Sequence, residues 1–139
     1  MMSDFEKFLY ECFTVSGRMS RKRYAKLMYL AWFPLISMWI LEWLIVDAWE
    51  LGARLPHVVT AIQVIKYSGA LFLFFAEPFW ITRRLHDVGK SGWSSWFPNL
   101  TLFVPIPGFC FLGTVFIWWL MFKDGDAGKN KYGEPPPDD

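Results

Sequence analysis

Charges set among apolar residues are the first positions at which this sequence could do chemistry. Glu42, Lys66 and Glu77 each stand inside a long greasy run. A charge at the centre of a bilayer costs about 2.5–3.5 kcal/mol on insertion scales, so each needs a partner or a purpose. Glu42 lies four residues before the end of the first run and Lys66 eight residues into the second. At helical rise their depths differ by roughly 6 Å, a gap that a lysine stem covers. They form a candidate intramembrane polar pair: an ion step between helices, an ion pair that fixes helix register, or a lysine snorkelling outward. Glu77 lies near Arg83 and Arg84, where a structural role is expected.

The stretch Arg83-Arg84-Leu85-His86-Asp87-Val88-Gly89-Lys90-Ser91-Gly92-Trp93 offers three chemistries. Gly89-Lys90-Ser91 ends like a phosphate loop, but Arg84 stands where the pattern needs glycine and no strand precedes it. His86 and Asp87 could be an acid–base pair, yet adjacent helical residues diverge and no nucleophile accompanies them, so capping or salt-bridging is expected. Anion binding survives: Arg83, Arg84 and Lys90, with Arg18, Arg21, Lys22 and Arg23 upstream, are candidate contacts for anionic lipid headgroups or a partner protein. Asp124-Gly125-Asp126 lacks the further ligands of a calcium loop. Cys12 and Cys110 have neither the spacing nor the histidines of a zinc site. No cofactor and no metal are expected.

The elements that must position these residues follow from composition. The chain has 139 residues, 54% hydrophobic and 20% aromatic, with a net charge of +1 and a mean hydropathy of +0.24. That excludes a disordered or nucleic-acid-coating protein, and the length is about one domain's worth. The apolar residues form runs as long as a bilayer is thick. Residues 27–46 make a first span of 20 residues and residues 58–81 a second of 24, joined by a polar connection at 47–57. Residues 82–92 form a basic loop, and 93–122 a third apolar segment of 30 residues. As one straight helix that segment would reach about 45 Å, longer than the hydrocarbon core. Pro105, Pro107 and Gly108 supply a break. Two outcomes stay open: one kinked span that leaves the tail outside, or a fold-back that leaves it inside. Residues 123–139 form a tail rich in proline and glycine.

Residues 1–26 form an amphipathic and basic segment. Phe5, Phe8, Leu9, Cys12 and Phe13 share one helical face, which would lie on the membrane surface or on the protein's own loops. Its acids, Asp4, Glu6 and Glu11, do not fit a cleavable signal, so the first span is expected to stay as an anchor. Ser20 is placed to cap the helix that follows. Five Lys/Arg in 18–26 and three in 83–92, against Arg54 alone between the spans, put both basic segments in the cytoplasm. Lys123, Lys129 and Lys131 lean the tail the same way, and Trp49, Trp80, Trp93, Trp96, Trp118 and Trp119 cluster near span ends. The expected fold is an all-α integral membrane protein. It is a small helical bundle with two full spans and a broken third segment, three to four transmembrane helices in all, with a cytoplasmic N-terminus.

Read together, GRMSRKRY before the first span, RRLHDVGKSGW after the second and GDAGKNKYGEPP in the tail resemble the bacterial domain of unknown function 805 family. The motif positions are Leu85, His86, Asp87, Gly89, Ser91, Gly92 and Trp93, then Asn130, Tyr132 and Gly133, with Lys129 and Lys131 as minor departures. The resemblance implies a small multi-pass protein of the bacterial inner membrane and no established reaction. The expected function is a non-enzymatic interaction or scaffold module. Its basic cytoplasmic face would contact anionic lipids, protein partners or a second copy, and not nucleic acid. The alternative is a small oligomeric channel or transporter with a polar path near Glu42, Lys66 and the break at 105–108. A lipid-modifying enzyme using His86 and Asp87 is a third reading.

Overall fold

The computed structural model describes residues 3–48, 55–101 and 108–136, and within them the chain is helical with no strand. Helix α1, Asp4–Phe13, starts at Ser3, whose hydroxyl accepts from the Glu6 amide while the Glu6 carboxylate accepts from the Ser3 amide. That reciprocal cap satisfies two donors that the first turn cannot satisfy itself. Cys12 is buried and Phe13 meets Phe79 edge to face at 5.6 Å, so the end of α1 packs on protein.

Helix α2, Arg21–Trp43, follows a turn at Gly17 and ends in a π-helical turn, Leu44–Ala48. Ser20 caps it as expected, its hydroxyl accepting from the Arg23 amide at 3.3 Å. Helix α3 is Pro56–Asp87, 32 residues. Arg21–Val46 and Pro56–Asp87 are both long and apolar enough to cross a membrane. Only 11% of the most apolar stretch of each is buried within the protein, whereas the core helix of a soluble domain is mostly covered. Tyr29, Phe33, Ile36 and Ile40 on α2, and Val64, Ile65 and Leu71 on α3, lie exposed, which suggests a membrane protein.

Six residues separate the end of the expected second span at 81 from the end of α3. The polarity of Arg83 and Arg84 ends the greasy run without ending the helix. The helix stops at Gly89, which takes φ +71°, while the amides of Gly89 and Lys90 return to the carbonyls of His86 (3.1 Å) and Leu85 (2.8 Å). That is the glycine-terminated Schellman cap.

The third apolar region breaks into a 3₁₀ turn, Gly92–Trp96, helix α4, Phe97–Thr101, and helix α5, Phe109–Phe122. Pro105 and Pro107 lie outside the described residues; Gly108 takes φ +80° at the start of α5. Helix α5 runs back along α4: Gly113 lies against Pro98 and Thr101, and Phe116 meets Phe97 at 5.7 Å. Its 14 residues rise about 21 Å, short of a crossing. The region folds back rather than running on as one kinked helix.

The chain divides into two compact units, Leu27–Phe74 and a second made of Met1–Lys26 with Phe75–Asp139. In the first, Gly69 of α3 lies close to Leu35 of α2. In the second, Cys12, Met19, Trp80, Ile81, Leu85 and Leu120 form the apolar core.

Gly113 tests the fold-back. A Cβ there would lie 2.5 Å from Thr101 Oγ1 and 2.9 Å from Pro98 Cα, so Gly113→Ala should destabilise the protein by about 1–3 kcal/mol. Gly128→Ala, which meets nothing within 4 Å, serves as the comparison, and thermal unfolding in detergent reads the difference.

Candidate functional site

The end of α3 carries most of the sequence motif, and the tail closes over it. Arg84 is wholly buried. Its Nε donates to Leu120 O at 2.9 Å, its Nη1 to Met19 O at 3.3 Å and to the Asp87 carboxylate, and its Nη2 to Lys123 O. The last carbonyls of a helix have no partner within it, and Arg84 supplies donors to two at the end of α5. A cation at that position also faces the negative end of the helix dipole.

Asp87 is shared. Its second oxygen accepts from Arg18 Nε at 2.9 Å, with the Arg18 and Asp87 side chains 1% and 5% exposed. Arg18 then reaches the tail: Nη1 donates to Gly128 O at 2.7 Å and Gly133 O at 3.3 Å, and Nη2 to Asp126 O. The triad carries one excess positive charge, and the tail and helix-end carbonyls surround it. Gly125 is needed here, because a Cβ at that position would collide with the Asp87 carboxylate.

Asn130 makes the third tie. Its Nδ2 donates to His86 O and to Asp126 Oδ2, both at 2.9 Å, and its Oδ1 accepts from the Tyr132 amide. Asn130 and Gly133 exchange backbone hydrogen bonds at 3.1 Å each, forming a small loop. On that loop Tyr132 stacks on His86, ring centroids 3.7 Å apart and nearly parallel. His86 Nδ1 lies 3.2 Å from Gly17 O, so that nitrogen is the one that donates in the neutral ring.

The candidate residues therefore separate. Arg18, Arg84, Leu85, His86, Asp87, Gly89, Asn130, Tyr132 and Gly133 come together in one interlocked cap. Arg83 is also buried, and its carbonyl accepts from the Met19 amide. Lys22 and Lys90 are exposed, Arg23 is half-buried, and Arg21 pairs with Asp124 at 2.5 Å in the open. Gly92 lies tight against Thr82, Ser91 is exposed, and Trp93 stands almost fully exposed. Beside the triad is a cavity of about 580 Å³ between the start of α2 and the tail. Of the candidate anion contacts, Arg21, Lys22 and Lys90 are exposed, whereas the donors of Arg18 and Arg84 are engaged inside the protein.

In the other unit, Glu42 and Lys66 do meet. The Lys66 ammonium is buried on the Glu42 carboxylate and 3.9 Å above the Trp39 ring, while Gln63 Nε2 donates to the other Glu42 oxygen at 3.0 Å. The sequence did not single out Gln63 and Trp39, although helical spacing puts Gln63 one turn before Lys66 and Trp39 one turn before Glu42, each three residues away.

Replacing Arg84 should release the tail. Arg84→Met leaves three carbonyls without their donor and Asp87 with one cation, a loss of about 3–5 kcal/mol for breaking a buried pair. Trypsin cleavage after Lys129 and Lys131 should rise severalfold; an unchanged rate would mean that something else holds the tail.

Comparison with known proteins adds one match. No curated protein and no solved structure matches the chain. Residues 12–134 match the family described as protein of unknown function DUF805, a stretch that holds the whole interlocked cap. The chain belongs to that family.

Proposed function

We propose that the protein is a multi-pass protein of the bacterial inner membrane that works without catalysis, as an interaction platform on the cytoplasmic side. The observation that carries this reading is the clamping of Asp87 between Arg18 and Arg84. The groups best suited to chemistry bear structure instead, and they bind the tail, the segment at residue 18 and the end of α3 together. Whichever side holds the basic segments therefore holds the tail, and the Lys/Arg count assigns that side to the cytoplasm. What the cap displays is a rim of exposed cations, Arg21, Lys22 and Lys90, at the level of headgroups or of a docking protein.

Each such cation near an anionic surface contributes about 1 kcal/mol, so Lys22→Ala with Lys90→Ala should lower retention of phosphatidylglycerol by about thirtyfold. Bound lipid counted by native mass spectrometry reads the loss, and retention equal to wild type would rule out a headgroup-binding platform.

The Lys66–Glu42–Gln63 cluster favours a second reading, a small channel or transporter with a polar step between the helices. Under it, ion flux in reconstituted liposomes disappears in Lys66→Met and persists in Lys90→Ala. Absence of flux in the wild-type protein would leave the cluster as a register-fixing pair.

A further inference from the structure

The cavity beside the triad has a settled floor and an unsettled mouth. At the floor the Arg18, Asp87 and Arg84 side chains are buried and engaged, with one another and with backbone carbonyls. At the mouth Arg21 and Asp124 pair with side chains 54% and 81% exposed. An ion pair in that much water is worth little and exchanges readily for another partner of the right charge. The cavity's volume, about 580 Å³, lies within the range of roughly 300–1,000 Å³ typical of small-molecule sites.

Its walls carry both signs. Arg21 and Lys22 come from the first turn of α2, where the positive end of a 23-residue helix dipole adds to their charge. Asp124 and Asp126 come from the tail, and Pro135 completes that wall. A ligand of one sign fits poorly: a simple anion would take Arg21 and leave Asp124 facing added negative charge, and a simple cation would strand Arg21. A ligand with both charges replaces the mouth pair with two pairs.

We propose that this cavity binds a phosphate diester bearing a primary ammonium, the headgroup chemistry of an ethanolamine phospholipid. The phosphate lies on Arg21 and Lys22, and the ammonium on Asp124 and Asp126. Arginine takes the phosphate as a two-pronged donor, and a primary ammonium offers three hydrogens to the carboxylates where a quaternary one offers none. Assigning a lipid as the source rests on the platform reading above; the recognition chemistry does not.

The full-length protein in detergent, offered phosphatidylethanolamine, phosphatidylglycerol or phosphatidylcholine, should retain the first about tenfold better than the other two. Native mass spectrometry reads the bound lipid. Asp124→Asn should abolish the preference over phosphatidylglycerol, and Arg21→Gln should weaken phosphatidylethanolamine itself. Both changes fall on exposed side chains, and an unchanged unfolding temperature verifies the fold. Binding of soluble glycerophosphoethanolamine without the lipid would uphold the site and overturn the platform. Equal retention of all three lipids, or a preference that survives both substitutions, would overturn the site. The platform would then stand alone if phosphatidylglycerol retention still depended on Lys22 and Lys90. Retention of no probe would overturn both.

Discussion

One carboxylate held between two guanidinium groups is the interaction on which the polar end of this protein depends. Burying Asp87 alone would be prohibitive, and here each arginine donates to only one of its oxygens, Arg18 to Oδ1 and Arg84 to Oδ2. Two arginines satisfy both oxygens but bring an excess positive charge. That excess is tolerated because backbone carbonyls surround it: Leu120 and Lys123 at the end of α5, Met19 before α2, and Asp126, Gly128 and Gly133 in the tail. The same bonds solve a second problem, since the last carbonyls of α5 would otherwise be orphaned. Four chain segments are thus fixed by one electrostatic requirement. The tail contains three glycines in its described part and little apolar surface, and it is held by these donors rather than by burial of its own side chains.

The sequence made the long helices and the fold-back legible for different reasons. Apolar length defines the two helices, because about 20 consecutive, predominantly apolar residues match the thickness of a bilayer. Proline and glycine around 105–108 announced a break, but whether the pieces ran on or turned back was decided by Gly113, whose missing side chain lets α5 lie directly on Pro98. A glycine inside an apolar helix looks the same whether it packs closely or sits idle. The end of α3 lies beyond the expected span for a related reason. Arg83 and Arg84 mark where hydrophobicity stops, and the helical rule that applied there was the one at Gly89. A charged last turn can stay helical when its charges are buried against another part of the chain.

The motif residues were visible as a set, and their partners were not. Nothing in RRLHDVGKSGW indicates that Arg84 reaches carbonyls 36 and 39 residues further on, or that Asn130 returns to His86 across 44. Carbonyl acceptors leave no mark in a sequence, because every residue has one. This is why Arg18 and Arg84 looked available for headgroups when their donors were already engaged. Glu42 and Lys66 were easier to pair, since opposite charges at similar depth in two neighbouring greasy runs have few alternatives, and helical rise sets which of them can meet.

Arg18 and Arg21 illustrate how position rather than residue type decides what a charge is for. They stand three residues apart, and both meet an aspartate. Arg18 precedes α2 in a segment packed against the end of α3, and its pair is shut away from water, so removing either partner strands a buried charge. Arg21 opens the helix itself and points its pair into solvent, where both ions are well hydrated apart and nearly as stable together. Fixed charges beneath and exchangeable charges above are the division that the proposed headgroup site requires. The buried triad ties the segment before α2 to the tail, while the exposed pair is the one that the proposed ligand would replace without disturbing what lies under it.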